Sequence, residues 1–314
     1  MGYIDVMQET TRRVLQTLHR DVSELIFVDI PDHPNVGDAA IALGQMAFWR
    51  ESGIEVSGIY SKGTVTPAVF SSQTAVAIQG GGNLGGLYPA HDQLRFALAE
   101  QLPARTVLIQ QPQSVHFSSV RDETEFAERF ASRSEVRIAV RDNHSYATLS
   151  RLGMSPVLSP DAAHMLGAID AEPASQRAVF LLRRDKESDE TRTPSAALGV
   201  DWRPRTLPER VGMRLRARGA FGVPPRAFNP SKSRWLIQAA RRLDRGVALL
   251  SQGETIVTNR LHAMIIGLQM GRRVIAIDNN VKKLHRYAET WFTSEVSPSL
   301  LFADSLDDAR SMLD

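Results

Sequence analysis

Short apolar runs alternate with longer amphipathic stretches along the first half of the chain. The apolar runs predict five strands, at 24–30, 55–60, 74–79, 106–110 and 136–140. Alternating strands and helices are typical of a parallel sheet with helices on both of its faces. We therefore predict a doubly wound α/β domain in this half.

The alternation returns after a stretch rich in proline, alanine and serine at 171–176. It predicts strands at 178–182, 247–250, 255–258 and 274–278, and helices at 231–244, 262–270 and 284–292. The fold class is thus α/β, with two Rossmann-like domains, 1–170 and 171–314, that face each other across a cleft. Ligands of such sheets bind beyond the carboxyl ends of the strands, so polar residues that follow apolar runs are the site candidates.

The region 187–230 breaks this pattern and is predicted to be an insertion in the second domain. Arginine and proline dominate it, with Arg203, Arg205, Arg210, Arg214, Arg216, Arg218 and Arg226. Basic and apolar residues interleave in 211–219, which would suit peripheral contact of 203–226 with an anionic membrane or closure over an anionic substrate. A solvated loop is the alternative interpretation of such a charge-rich segment.

Composition narrows the class of protein further. The formal charge of the 314 residues is +2 and the isoelectric point is about 9.0, a basic excess too small to predict nucleic-acid binding but suited to an acidic small-molecule substrate. The absence of cysteine excludes disulfides, thiolate catalysis and cysteine–zinc sites, and makes a reducing cytoplasm the default location. No apolar run approaches the roughly 20 residues needed to span a bilayer. We expect a soluble cytoplasmic protein without a metal site.

The segment 255–271 contains the first candidates for chemistry. Arg260 and His262 lie where an apolar strand is predicted to turn into an apolar helix. The free N–H groups and the dipole of a helix N-terminus favour an anion. Guanidinium and imidazole groups there would add anion binding and proton transfer, whereas the structural alternative is a helix cap beside a buried histidine.

A second candidate is a glycine-rich run after the predicted strand 74–79. Gly80, Gly81, Gly82 and Asn83 are followed by two more glycines. Glycine lets backbone N–H groups approach a ligand closely, so this loop could hold an anion, although a plain tight turn fits equally well. It matches neither common nucleotide-binding glycine pattern.

Further polar residues follow the other predicted strands. Asn35 and Asp38 precede an apolar helix, where Asp38 is predicted as the N-cap and both could hold a polyhydroxylated ligand. Gln113 and Ser114 could bond to sugar hydroxyls. Arg141 ends a strand, where it would pair with a local carboxylate or clamp a carboxylate or phosphate ligand.

These motifs occur in the order found in the polysaccharide pyruvyl transferase family, which the chain resembles nearly from end to end. The matching segments are Asn35-Val-Gly-Asp38, Gly80-Gly-Gly-Asn83, Pro112-Gln-Ser114, Arg141-Asp142 with Ser145, Pro160-Asp161 and Arg260-Leu-His262. Segment 258–279, with Lys283 and Glu289-Thr-Trp291, resembles the exopolysaccharide-biosynthesis branch. The resemblance implies a fold similar to that of GT-B glycosyltransferases.

The resemblance also implies a reaction. Pyruvate would move from phosphoenolpyruvate to two hydroxyls of one sugar residue in a surface-polysaccharide or exopolysaccharide precursor, forming a cyclic ketal and releasing phosphate. The acceptor would be a lipid-linked oligosaccharide or another glycan, at the inner face of the cell membrane. No cofactor is implied, because phosphoenolpyruvate is the donor substrate.

The motif residues then take predicted roles. The catalytic candidates are His262, which would move the proton, Arg260, which would hold the anion, and Asp161; whether Asp161 or Asp38 is the base toward the acceptor stays open. The donor-binding candidates are Arg141, Asn259, Lys283 and Asn279. The acceptor-binding candidates are Asn35, Asp38, Gly80, Gly81, Gly82, Asn83, Gln113 and Ser114.

Two other functions fit the same architecture. A nucleotide-sugar glycosyltransferase would bind a nucleoside diphosphate sugar in the second domain and release nucleotide. A noncatalytic glycan-binding protein of a surface-polymer assembly complex would use the same polar cleft without turnover.

Overall fold

A computed structural model of the protein describes residues 2–183, 202, 231–278, 282–292 and 299–313. Its first part forms a parallel sheet with the strand order β2-β1-β3-β5-β6-β7, and β4 pairs with β5. The elements are α1 (Tyr3–Leu18), β1 (Glu24–Val28), α2 (Val36–Glu51), β2 (Glu55–Tyr60), α3 (Pro67–Phe70), β3 (Ala75–Ile78), β4 (Gly81–Leu84), α4 (Pro89–Gln101), β5 (Leu108–Val115), α5 (Val120–Phe126) with a π-helical turn (Ala127–Ala131), β6 (Val136–Val140), α6 (Asn143–Arg151) and β7 (Val157–Leu158).

A 3₁₀ helix (Ala162–Leu166) leads to a second parallel sheet with the strand order β11-β10-β9-β8. The elements of this part are β8 (Gln176–Leu181), α7 (Lys232–Ser251), β9 (Gly253–Thr258), α8 (Leu261–Gln269), β10 (Arg273–Ile277), α9 (Lys283–Trp291), β11 (Leu300–Ala303) and α10 (Leu306–Ser311). The predicted α/β class with parallel sheets is confirmed.

The predicted strand at 247–250 is wrong. These residues form the last turns of α7, with Leu250 buried in the core of the second sheet. Four consecutive apolar residues fit a buried strand and the apolar side of a helix equally well, and here the long helix that precedes them continues. Three short strands were not predicted: β4 is glycine-rich, β7 has two residues, and β11 is only four residues long.

Helix α7 links the two sheets. Trp235 and Ala239 near its start lie in the same buried cluster as Phe27 of β1. Leu250 near its end lies in the buried cluster that contains Ile256 of β9. The strands change from one sheet to the other between β7 and β8, the span that contains the predicted boundary at 170/171. That boundary stays a prediction, and the predicted insertion 187–230 lies outside the described residues except for buried Trp202.

A buried histidine ties α1 to the first sheet. His19 Nε2 lies 3.0 Å from Trp49 Nε1 and 2.8 Å from Gln111 Nε2. Because the indole nitrogen of Trp49 can only donate, His19 Nε2 accepts and Nδ1 donates to the Leu15 carbonyl at 2.8 Å. Burial lowers the pKa of His19 to about 4, so this neutral imidazole joins α1, α2 and β5.

We expect the protein to lose stability as the pH falls from about 6.5 to about 4. In this range the unfolded chain binds a proton at His19 that the folded protein does not, because folding lowers the pKa. His164, whose pKa burial also lowers to about 4, acts in the same direction. Each pKa shift corresponds to a loss of about 3 kcal/mol of unfolding free energy, which is complete once the pH lies below the lowered pKa.

Urea unfolding at about pH 7.5 and about pH 5 measures this loss. The variant His19→Gln cannot titrate at this position, so its unfolding free energy should fall less between the two pH values than that of the wild type. An equal fall in both proteins would show that His19 does not contribute.

Candidate functional site

The N-terminus of α2 forms one wall of the site. Asn35, not Asp38, is the N-cap: its side chain accepts from the Gly37 N–H at 3.0 Å, and the helix begins at Val36. The prediction for Asp38 failed because asparagine is as good a cap and stands three residues earlier. The Asn35 amide donates to Asp38 Oδ2 at 2.7 Å, so these two predicted acceptor residues do lie together.

The glycine strand β4 lies opposite this wall. A Cβ added at Gly81, whose φ is +135°, would lie 3.6 Å from Gln113 Oε1 and 4.0 Å from Asp38 Oδ1. At Gly82 a Cβ would lie 3.1 Å from Arg141 Nη2 and 3.6 Å from Lys283 Nζ. The absence of side chains thus leaves space beside two cations and two polar acceptor candidates.

Other residues of the glycine run have structural contacts. Gly80 packs against the backbone of β5, since a Cβ there would lie 2.6 Å from the Pro112 carbonyl oxygen. Asn83 Oδ1 accepts from Gln113 Nε2 at 2.5 Å and from the guanidinium of fully buried Arg95. Arg95 holds β4 in place. Sequence reasoning missed it because a lone arginine in a helical stretch gives no signal of burial.

Arg141 and Asp161 form a buried ion pair between Arg141 Nη1 and Asp161 Oδ2. Arg141 Nη2 also donates to Ser114 Oγ at 3.1 Å, and Ser114 Oγ donates to Asp142 Oδ2 at 2.8 Å. Asp142 caps α6. The predicted donor residue Arg141 and acceptor residue Ser114 therefore share one hydrogen-bond network.

His262 reaches this network from the second half of the chain. Its Nε2 lies 3.3 Å from Asp161 Oδ2, and its exposed side-chain fraction is 15%. Burial by itself would raise the pKa of Asp161, but the charges of His262 and Arg141 and the Ala163 N–H hold that pKa well below its usual range. Asp161 is consequently an anion that holds the Arg141 guanidinium and the His262 imidazole together.

The other ring nitrogen of His262 faces the first turn of α2. A Cβ added at Gly37 would lie 2.5 Å from His262 Nδ1. Glycine at this position therefore lets the first turn of α2 pack closely against the His262 ring.

Tyr287 and His164 form a chain of hydrogen bonds that ends at the backbone of Asp161. The Asp161 N–H donates to the Tyr287 hydroxyl at 2.9 Å, and that hydroxyl lies 2.9 Å from His164 Nε2. Burial and the Asp161 charge raise the pKa of Tyr287 well above its usual value, and burial lowers the pKa of His164 to about 4. The phenol therefore donates its proton to a neutral imidazole. No motif on the chain marked either residue for this role.

Asn259 and Arg260 lie between the end of β9 and the helix that contains His262. Arg260 is the N-cap residue of α8, is 5% exposed, and lies with its guanidinium carbon 5.8 Å from the ring centre of Trp202. Asn259 Oδ1 accepts from the Arg183 N–H at 2.6 Å. The predicted strand-to-helix junction is confirmed, and Asn279 lies outside the described residues.

Basic side chains are grouped in the assembled site. Arg141 and His262 contact the buried Asp161 carboxylate, Lys283 lies near Gly82, and Arg260 stands two residues before His262 on the chain. In the described ranges, no three His, Cys, Asp or Glu side chains are grouped as metal ligands would be. Across the same ranges, no helix has the length and apolar character required to cross a membrane.

Known proteins are similar to this chain in sequence and in fold. A sequence profile described as polysaccharide pyruvyl transferase matches residues 13–281. The chain is 29% identical over 293 residues to EpsO, a candidate pyruvyl transferase of Bacillus subtilis strain 168, across 89% of this chain and 88% of EpsO. It is 27% identical over 310 residues to pyruvyl transferase 1 of Schizosaccharomyces pombe, across 93% of this chain and 76% of that protein. The fold is similar to that of a functionally uncharacterized Klebsiella pneumoniae protein, with a TM-score of 0.67 and 16% identity, covering 95% of this chain and 99% of that one.

We expect Gly37→Ala to lower turnover by about 10-fold or more, because displacement of a reacting group by about 1 Å costs up to 100-fold. The added methyl group would overlap the His262 ring, which would have to move away from Asp161. Steady-state kinetics check this. Gly63→Ala is the matched control, because a Cβ there meets open space. Equal rates in both variants would contradict this account of the Gly37 contact.

Proposed function

The chain belongs to the polysaccharide pyruvyl transferase family, and from this premise we propose that it transfers pyruvate from phosphoenolpyruvate to two hydroxyls of one sugar residue. The acceptor is a lipid-linked oligosaccharide or another glycan precursor of a surface polysaccharide. The products are a cyclic pyruvate ketal and phosphate. Family membership makes the chain a transferase enzyme that acts on polysaccharide; the donor, the ketal and the membrane-linked acceptor are our proposal.

The observation that carries this proposal is the meeting of His262, Asp161 and Arg141 beside the glycine strand. Phosphoenolpyruvate has a phosphate and a carboxylate, so its binding site needs more than one cation in a cleft shielded from water. Arg141 and Lys283 both lie near Gly82, and Arg260 adds a guanidinium at the start of α8.

His262 supplies the proton in this mechanism. An imidazolium carries a proton on each nitrogen. The Nε2 proton points to Asp161, so the proton that goes to the vinyl methylene of the donor is the one on Nδ1. C2 of the donor then becomes electrophilic, and a sugar hydroxyl adds to it with loss of its proton.

The second half of the reaction closes the ketal. The bond from C2 to the phosphate oxygen breaks, and the second hydroxyl forms a bond to C2 and loses its proton. Of the two hydroxyl protons, one balances the proton gained by the methyl group and the other leaves with phosphate or passes to solvent. Arg141, Lys283 and Arg260 stabilise the negative charge that builds up on the departing phosphate.

Asp161 orients this machinery and does not act as its base. Its pKa lies well below the usual range because His262 and Arg141 hold the charged form despite burial. A carboxylate this acidic has little affinity for a hydroxyl proton. Its role is to keep the His262 imidazolium and the Arg141 guanidinium in one fixed geometry, as in a His–Asp pair.

We expect acceptor-dependent release of phosphate from phosphoenolpyruvate, with no nucleotide released from nucleotide sugars. In D₂O the ketal methyl group should become CH₂D, because the added proton comes from an exchangeable group; proton NMR measures this. His262→Ala should lower turnover by about 100-fold or more. Release of nucleotide would overturn the proposal. So would the absence of both phosphate and nucleotide release when lipid-linked oligosaccharide is present.

Donor affinity tests the assigned cation. Arg260→Ala should weaken phosphoenolpyruvate binding by about 1.5 to 3 kcal/mol, the value of a hydrogen bond to a charged group. Isothermal titration measures the dissociation constant directly. Arg234→Ala is the control, because this exposed arginine lies on α7. An unchanged dissociation constant for Arg260→Ala would remove Arg260 from the donor site.

A further inference from the structure

A second histidine–carboxylate pair lies at the carboxyl edge of the first sheet. His91 Nδ1 is 2.7 Å from Asp29 Oδ2 and 3.0 Å from Asp29 Oδ1. Asp29 directly follows β1 and is buried, with a φ of +62°, a region in which aspartate is tolerated better than most residues. The His91 side chain is 21% exposed. The pair thus has a buried carboxylate on one side and an imidazole that reaches solvent on the other.

The remaining nitrogen of His91 has the chemistry of a base. Nδ1–H donates to Asp29, so Nε2 carries the lone pair. The Lys62 ammonium lies 3.5 Å from this Nε2, and an ammonium can only donate, which fits a lone pair at that position. A sugar hydroxyl bound there would replace Lys62 as the donor to Nε2. A buried aspartate that fixes the tautomer of an imidazole and stabilises its protonated form is the arrangement that activates hydroxyl groups in Ser-His-Asp sites.

The pair is held rigidly against the glycine strand. His91 and Arg95 stand four residues apart on α4 and share one face of the helix. Arg95 bonds to Asn83 and Asp92, and Asp92 Oδ2 accepts from the Gly86 N–H at 2.8 Å. The charge of Asp29 also reaches Arg95. The pair therefore has a fixed position relative to Asn83, which follows Gly82, the residue next to Arg141 and Lys283.

The groups around the His91–Asp29 pair are suited to binding a sugar. Asp29 and Lys62 follow β1 and β2, and Gly80 precedes β4 just after β3, so all three lie at the edge where ligands of parallel sheets bind. Tyr88 places its ring centre 6.3 Å from that of His91 and is 37% exposed. An exposed aromatic ring beside polar groups offers both an apolar surface and a wet edge.

We propose that His91, positioned by Asp29, is the base that accepts a proton from an acceptor sugar hydroxyl, and that it marks an acceptor subsite at the carboxyl ends of β1, β2 and β3. This inference rests on the proposed function. The hydroxyl proton moves to His91 Nε2 as the sugar oxygen bonds to C2 of the donor, and the imidazolium then releases it to solvent. His262 and His91 thus act on opposite reactants, one giving a proton to the donor and the other taking one from the acceptor.

The test uses the full chain, phosphoenolpyruvate, and a panel of methyl hexopyranosides as acceptor probes. His91→Ala should lower kcat by about 100-fold and leave the dissociation constant of phosphoenolpyruvate unchanged. Imidazole added to the buffer should restore part of the turnover of His91→Ala, which a purely structural role would not allow. His144→Gln, at an exposed position on α6, should behave as the wild type.

Asp29 is tested through its coupling to His91. Asp29→Asn should lower kcat, and the double variant should be no slower than His91→Ala, because residues that act as a unit are not additive. Circular dichroism shows whether each variant folds. A folded His91→Ala variant with wild-type kcat, absence of imidazole rescue, or additive losses in the double variant would overturn the inference and leave the proposed function intact.

Failure of the proposed function gives a different pattern. If the wild type releases no phosphate with any probe, saturation-transfer NMR with the same methyl hexopyranosides tests the subsite by itself. A transfer signal in the wild type that His91→Phe abolishes supports the acceptor subsite without the donor reaction. Equal signals in both proteins, or none in the wild type, overturn it.

Discussion

The structure depends on the buried carboxylate of Asp161. It follows the last strand of the first sheet, yet its partners are Arg141 from that sheet and His262 from the helix after β9. Taking three ionisable groups out of water is costly unless each is paired and hydrogen-bonded. Here Asp161 Oδ1 accepts from the Ala163 N–H, and Tyr287 accepts from the Asp161 backbone. The same contacts that join the two halves of the chain also fix the geometry of the site.

Glycines decide where a substrate can enter. Gly82 leaves room beside Arg141 and Lys283. By contrast, Gly37, Gly44 and Gly80 are required for close packing, against the His262 ring and against backbone atoms at Ala162 and Pro112. Glycine therefore serves two purposes in this chain, and only the contacts of a hypothetical Cβ separate them.

Two histidine–aspartate pairs divide the chemistry that the proposed reaction needs. Ketal formation adds a proton to the donor carbon and removes protons from two acceptor hydroxyls. His262 has a cationic neighbourhood and a very acidic carboxylate partner, which suits a proton donor beside an anion. His91 contacts Asp29 through Nδ1 and Lys62 through Nε2 at the edge of the first sheet. In the proposed reaction the first pair adds the proton and the second removes one, both at the bonded carbons of a single donor molecule.

The sequence by itself determined the α/β class, most strands of both parallel sheets, and the strand-to-helix junction at Arg260, because apolar periodicity and helix-start signals are local. It also marked Asp161, Arg141 and His262 as candidates. Only the tertiary structure decided that these three share one contact network, that Asn35 is the cap instead of Asp38, and that 247–250 is helical. It also brought Asp29 to His91, which is 62 positions away along the chain. Such pairings depend on which strand ends meet at one sheet edge, and that arrangement is set by long-range packing that no local pattern encodes.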